Sequence, residues 1–251
     1  MLFNFNSPTD IFFGSGVFRK TSELTNKLGK NPMIVCGRNS MRKFKFLDLL
    51  TNDFKKAKKK VIVYDNISSD AKSNEINDAI SLIKKKKVDF VIGLGGGSAI
   101  DASKAIAVGI NFKNVEEIIG KNVSDDLKCL PIVAIPTTAG TGSEVSKGSI
   151  ITDIKKNFKS GIRGNNLFPK IAIIDPTFSL TMPDDLLAET GFDAFTHLFE
   201  SYLAKKSNPI TENFSEKGLS IIMKYLPMSL KNKKDLIIKE RVCLAALMGG
   251  I

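Results

Sequence analysis

Short apolar runs alternate with longer amphipathic stretches along the first 180 or so residues of this chain. The runs MIVC (33–36), VIVY (61–64), VDFVI (88–92), PIVAI (131–135) and IAII (171–174) have strand length. They carry β-branched residues and end close to Gly, Asp or Pro, as strands do. Between them, 75–87 and 99–109 are long enough to be crossover helices. Alternation of this kind predicts a parallel sheet with helices on both faces. The rhythm breaks at about 147–163, where SIITD and FKSGI flank a polar IKKN turn and predict a β-hairpin. From Asp184 onward the apolar spacings are three and four, and no further strand is evident. The expected organisation is an α/β domain over 1–180 followed by an all-helical one over 181–251.

The last eleven residues, RVCLAALMGGI, form an apolar helical run without a polar tail. Such a surface calls for a cover. The expectation is that another segment lies over it or that the helical domain is incomplete, as in a shortened reading frame.

Composition adds limits. With 251 residues and 43% hydrophobic content, one large or two smaller domains can be built. No stretch approaches the roughly eighteen apolar residues of a membrane span, and MLFNFNSPTD lacks the layout of a signal peptide. The expected setting is cytoplasmic, with no membrane partner. Cys36, Cys129 and Cys243 are odd in number and widely spaced, so they read as reduced thiols and not as a disulfide frame or zinc cluster. The net charge of +11 could suggest nucleic acid, but much of the excess sits in lysine runs at 55–60, 84–87 and 231–234. The first two precede strand candidates, which puts them at helix C-termini, where lysine complements the helix dipole. No aromatic-interleaved basic motif accompanies them, and no nucleic-acid partner is expected.

Two polar clusters carry candidate chemistry. In VDFVIGLGGGSAIDASKAIAVGI, the glycines Gly95, Gly96 and Gly97 follow a strand and open a helix, with Ser98 and Asp101 at capping-box spacing. Backbone N–H groups at that helix start would favour a pyrophosphate. The spacing differs from GxGxxG, and a tight turn without a ligand is the plainer alternative. The second cluster, PTTAGTGSEVS (136–146), has the small hydroxyl and glycine residues of a loop that wraps a cofactor.

Together with ETGFDAFTHLFESYLAKKSNPITE (189–212) and the opening FNSPTDIFFGSG, these clusters resemble the iron-containing (group III) alcohol dehydrogenase family. The likeness runs from about residue 5 to the end, with four motifs in order. PTTAGTGSE is similar to the alcohol dehydrogenase branch, not to glycerol dehydrogenase or dehydroquinate synthase, which share the fold. The resemblance implies an α/β dinucleotide-binding domain, a helical domain and a divalent metal, Fe²⁺ or Zn²⁺, in the cleft between them. It implies that Gly95, Gly96, Gly97 and Ser98 hold the pyrophosphate, with Asp101 in the same motif. Thr137, Thr138 and Thr141 would line the cofactor cleft, and Lys159 would reach toward the nicotinamide ribose. The chemistry implied is metal-assisted hydride transfer between nicotinamide and a small alcohol or aldehyde, in a homodimer.

Asp193 and His197 match the family's first two metal ligands and are also its implied catalytic residues. Four apart on a predicted helix, they lie on one face and could share an ion, although a lone helix histidine is the plainer reading of His197 by itself. The family's two further histidines are missing, because His197 is the only histidine in the chain. Two ligands fall short of a catalytic site's three, so weak metal binding and poor turnover are expected. Many NAD-preferring relatives carry an acidic residue where Gly37 stands. Here Gly37 is followed by Arg38, Asn39 and Ser40, with Arg42 and Lys43 nearby, which suits NADP over NAD. A non-catalytic NADP-binding remnant and a lyase of the dehydroquinate synthase type are the competing readings.

Overall fold

A computed structural model describes residues 2–251. The chain begins with β1 (Asp10–Phe13), α1 (Thr21–Leu24), β2 (Pro32–Gly37), α2 (Ser40–Lys43), α3 (Phe46–Lys56) and β3 (Ile62–Ile67). It continues through α4 (Ser73–Lys85), β4 (Phe90–Gly95), α5 (Gly97–Gly109), β5 (Ile132–Pro136), β6 (Gly148–Asp153), β7 (Phe158–Arg163) and β8 (Ile171–Ile174). Three helices follow: α6 (Asp184–Leu203), α7 (Pro209–Lys231) and α8 (Leu236–Gly250).

All five apolar runs are strands of one parallel sheet, in the order β1-β8-β5-β4-β2-β3. The expected hairpin forms as antiparallel β6 and β7, pairing Gly148 with Arg163 and Asp153 with Phe158. Both faces of the sheet are covered, which is why its strands read as continuous apolar runs and not as alternation. Met33 and Val35 point into one core with Ile76, Ile80, Ala102 and Ile106 of α4 and α5. Ile34 and Cys36, one residue out of phase, point into the other with Leu47, Leu50 and Phe54 of α3. Truncating one of these α3 side chains to Ala would cost roughly 2–5 kcal/mol. β2 and β3 are neighbours, yet the chain returns across β2 to form β4 on its other side. The connections thus diverge between β2 and β4, and that topological switch opens a crevice beyond the C-terminal ends of both strands.

A third core fixes the helical segment against the sheet. Ala172 and Ile174 of β8, with Ala139 and Val145 of the loop after β5, pack on Leu187, Ala194 and Leu198 of α6 and on Ala245, Ala246 and Leu247 of α8. Much of the apolar run at the end packs within the chain, against α6, α7 and this loop. A helix apolar on every side is a buried helix.

The lysine runs behave as expected with one exception. Lys55 and Lys56 close α3, and Lys84 and Lys85 close α4. Lys59, however, is buried and donates to the Ser22 carbonyl at 3.1 Å. All three cysteines are free thiols. No described helix is long and apolar enough to cross a membrane.

Candidate active site

The crevice at the switch point is a cavity of about 490 Å³. Gly37, Asn39 and Ser40, at the end of β2 and the start of α2, line one end of it. Gly95, Gly96 and Ser98 line its floor, and Thr137 and Thr138 its side. No side chain caps α5, whose N-cap is Gly96. The expected capping box does not form. Ser98 donates to the Ser69 carbonyl, and Asp101 is taken by distant partners, accepting from Ser143 Oγ at 2.5 Å and from the Ile150 N–H at 2.9 Å. The first N–H groups of α5 stay free of capping side chains at the cavity floor, the arrangement that suits an anion.

Ser69 and Ser98 also line a second cavity of about 520 Å³, so the two spaces adjoin. Gly97, Asp101, Thr141 and Lys159 line this second space together with Asp193 and His197 of α6. Lys159 Nζ is 3.1 Å from Asp70 Oδ1, a contact that keeps the ammonium on the cleft side of the hairpin. Both volumes lie in the usual range of small-molecule sites. All the expected site residues except Arg38 therefore line these two adjoining cavities, from Gly37 in the first to His197 in the second.

Arg38 faces another way. Its guanidinium is 2.9 Å from the buried carboxylate of Glu75, which also accepts from Ser68 N–H and Oγ. Arg42 is paired with Asp65. The cation that lines the cleft next to Ser40 is Lys43, whose Nζ lies 5.6 Å from the Phe44 ring centre.

The fit to the two implied groups differs. An uncapped helix start, small residues and hydroxyls along a cleft fit a dinucleotide. For a metal, Asp193 Oδ1 and His197 Nε2 are 3.8 Å apart, but no group of three or more His, Cys, Asp or Glu side chains is suitably placed among the described residues. His197 Nδ1 is 3.4 Å from the Gly140 carbonyl, which orients the ring. Two donors do not make a metal centre, and the set as it stands does not fit a resident ion.

Two groups beside the cleft escaped sequence reasoning. Lys104 of α5 is completely buried, and its Nζ contacts Ser143 Oγ, the Ser146 and Gly148 carbonyls and Ser146 Oγ. Burial holds its ammonium down to about 8, against the pull of Asp101 and Glu144. Glu144, in the turn Ser143–Val145, is pushed up to about 6 by burial. The one available signal was a single lysine inside the apolar run AIDASKAIAVG, three residues after an aspartate.

Comparison with known proteins gives the same picture. Residues 8–176 match the family model of iron-containing alcohol dehydrogenases, and 187–251 match the model of that family's C-terminal part. The NADPH-dependent butanol dehydrogenase of Clostridium saccharobutylicum is 31% identical over 253 residues, covering 100% of this chain and 64% of that protein. The NAD-dependent methanol dehydrogenase of Bacillus methanolicus is 28% identical, covering 99% of this chain and 65% of the relative. The chain thus spans about 65% of the length of these curated relatives. Among solved structures, the sulfoacetaldehyde reductase of Bifidobacterium kashiwanohense in complex with NAD+ is 28% identical, with a TM-score of 0.92 over 100% of this chain and 66% of that one. The alcohol dehydrogenase of Oenococcus oeni is 29% identical, with a TM-score of 0.91 over 99% of this chain and 66% of that one. The chain belongs to the iron-containing alcohol dehydrogenase family.

Proposed function

We propose that this chain binds a nicotinamide dinucleotide, NADP(H) in preference to NAD(H), and serves hydride transfer between it and a small alcohol or aldehyde. The observation that carries the reading is the pair of adjoining cavities that reach from Gly37, past the uncapped start of α5, to Asp193 and His197. In this reading the adenosine end lies by Gly37, Asn39, Ser40 and Lys43, and the pyrophosphate lies on Gly95, Gly96, Gly97 and Ser98. Thr137, Thr138 and Thr141 offer hydroxyls along the wall, and Lys159 reaches the nicotinamide end. Membership of a family that includes an NADPH-dependent butanol dehydrogenase and an NAD-dependent methanol dehydrogenase supports a nicotinamide cofactor and the substrate class, while the preference for NADP(H) rests on the residues at the end of β2.

When bound, the nicotinamide supplies the hydride chemistry at its C4 carbon. The protein's part is to hold the two reactants in reach of each other and to limit water between them. His197, its ring oriented by the Gly140 carbonyl, turns Nε2 toward Asp193 and is the group able to hold a proton beside the substrate oxygen. Fe²⁺ or Zn²⁺ would need donors beyond Asp193 and His197. That shortage favours the second reading, an NADP-binding protein without turnover. A division near residue 180 and a cytoplasmic setting, from the sequence pattern, and a homodimer, from family likeness, accompany the proposal.

Anaerobic titration of the purified protein with NADPH, followed by NADPH oxidation with short aldehydes with and without added Fe²⁺ or Zn²⁺, tests it. Saturable binding with turnover supports the enzyme. Binding without turnover selects the second reading, and failure to bind either NADPH or NADH sinks both.

A further inference from the structure

The strands of the parallel sheet end at the cleft and start on the opposite side of the molecule. On that side every strand of the sheet but β1 is preceded by an exposed lysine: Lys170 before β8, Lys128 before β5, Lys87 before β4, Lys30 before β2 and Lys60 before β3. Because every pairing in the sheet is parallel, these five lead-ins lie side by side in the order just given. Backbone bonds hold neighbours in place, from the Lys60 N–H to the Lys30 carbonyl at 3.0 Å and from the Asp89 N–H to the Asn31 carbonyl at 2.9 Å. With strands about 4.8 Å apart, the row is about 20 Å long. Lys55 and Lys56 at the end of α3, on one face of the sheet, and Lys84 and Lys85 at the end of α4, on the other, widen it.

The helix dipole accounts for lysines in the last turns of α3 and α4, but the five lead-in lysines belong to no helix. Nor do local acids neutralise them. Among the described residues none of these lysines forms an ion pair. Asp53 is bonded to the Ser22 N–H and Oγ, and Asp89 to the Lys30 and Asn31 N–H groups and the Asn31 amide. Asp125 is bonded to the Asn165 N–H and amide, and Asp126 lies 3.4 Å from Ser124 Oγ. Asp10, at the start of β1, is the acid that ends the row. Like charges gathered in this way repel one another, and a polyanion relieves the repulsion while releasing its own counterions. Beside Lys55 and Lys56 opens a cavity of about 350 Å³, lined also by Arg19, Leu49 and Asn52.

We propose that this edge binds single-stranded nucleic acid: the lysine row from Lys170 to Lys60 takes the phosphates, and the cavity at the end of α3 takes an unstacked base against Leu49 and the Asn52 amide. Phosphate contacts supply affinity without sequence preference, and a base can enter a pocket only when it is free of a duplex. One lysine per strand makes a line, which suits a linear polyanion. A lipid surface is gripped with apolar side chains that insert, and of the segments carrying these lysines α3 alone exposes a large one, Leu49. Taken one run at a time, the lysines are solvated helix ends and imply no nucleic acid. The parallel sheet is what gathers five lead-ins, distant in sequence, on one edge. That edge lies at the other end of the strands from Gly95–Gly97, so the nucleic acid and a dinucleotide bind independently.

Fluorescence anisotropy with a labelled oligouridylate of about twenty nucleotides, longer than one such site, measures the affinity of the full chain. The logarithm of the binding constant should fall with the logarithm of salt concentration at a slope between about −3 and −4, as five phosphates on a single strand require. Reversing three charges of the row, in Lys30→Glu/Lys60→Glu/Lys87→Glu, should weaken binding about tenfold or more and flatten the slope by about 2. The same change of net charge placed elsewhere, in Lys205→Glu/Lys231→Glu/Lys234→Glu, should weaken it by less than about threefold. If the row variant fails to fold, Lys128→Glu alone carries the comparison and should flatten the slope by about 0.7. Asn52→Ala should weaken the oligouridylate severalfold and leave an abasic strand of the same length unchanged, and saturating NADPH should displace neither. Absence of binding at low salt, equal losses in the two triple variants, or displacement by NADPH overturns the proposal. So does binding of phosphatidylserine vesicles without binding of the oligouridylate, which would make the edge a membrane contact. Unchanged affinity in Asn52→Ala overturns the base pocket.

Discussion

Asp193 Oδ1 and His197 Nε2 face each other at 3.8 Å across one turn of α6, with both side chains partly open to the cleft. A carboxylate and an imidazole at i and i+4 make half of a metal site. In competition with a chromophoric chelator of micromolar affinity, the wild-type chain is expected to lose Fe²⁺ or Zn²⁺ to the chelator, and His197→Ala to retain none. Tight stoichiometric binding abolished by His197→Ala would mean that a further donor completes the site.

Cofactor choice turns on the end of β2. Arg38 and Arg42, which the sequence offers as partners for a 2′-phosphate, are already paired with Glu75 and Asp65. The proposed preference for NADPH then rests on the missing carboxylate at Gly37 together with Lys43. A Cβ at Gly37 would meet nothing closer than the Ile67 carbonyl at 3.5 Å, so a side chain fits there. Gly37→Asp should weaken NADPH about tenfold or more by placing like charge beside the phosphate, and should leave NADH equal or tighter. Lys43→Ala should weaken NADPH alone, by a smaller factor. Equal effects on both cofactors, measured by titration, would remove this end of the cleft from the choice.

Gly142 has φ of 62° and lies against the last turn of α8, where an added Cβ would fall 2.5 Å from the Gly250 Cα. Ala at this position meets two costs, roughly 1–2 kcal/mol for left-handed backbone and about 1–3 kcal/mol for forcing two backbones apart. Gly16, with φ of 84° and open space around it, carries only the first. Urea unfolding should therefore show Gly142→Ala losing clearly more stability than Gly16→Ala. Equal losses would mean that the loop and α8 separate easily.

The sheet was legible because burial on both faces writes a strand as an unbroken apolar run, as in IAII at 171–174. The hairpin was legible because its turn, IKKN, is polar between two β-rich pieces. What stayed hidden depends on contacts far apart in sequence. Asp101 has the spacing of a capping residue, yet Ser143 and Ile150, 42 and 49 positions away, claim its carboxylate. Arg38 reads as a phosphate ligand until Glu75, 37 positions on, is brought beside it. Lys59 looks like one more solvated lysine in its run and is instead folded under to Ser22. For the site, the family resemblance pointed to the cleft residues, but only tertiary packing decided which charged groups remain free to act in it.

Glu144 supplies a stability test of the buried charges. It is only 4% exposed, and burial raises its carboxyl from 4.5 to about 6, opposed by its own backbone N–H and by Lys104. A folded-state value above the unfolded one means the folded chain holds the proton more tightly. Its contribution is then fully present below about 4.5, is lost as pH rises through about 6, and is constant above that. The interval corresponds to about 2 kcal/mol. Glu144→Gln keeps the shape and removes the ionisation. Urea unfolding at pH 7 should find this variant more stable than wild type by about 1–2 kcal/mol, while at pH 4.5 the two should coincide. A variant less stable at pH 7 would show that attraction between the carboxylate and Lys104 outweighs the cost of burying the charge, and that the cluster is held together by ion pairing.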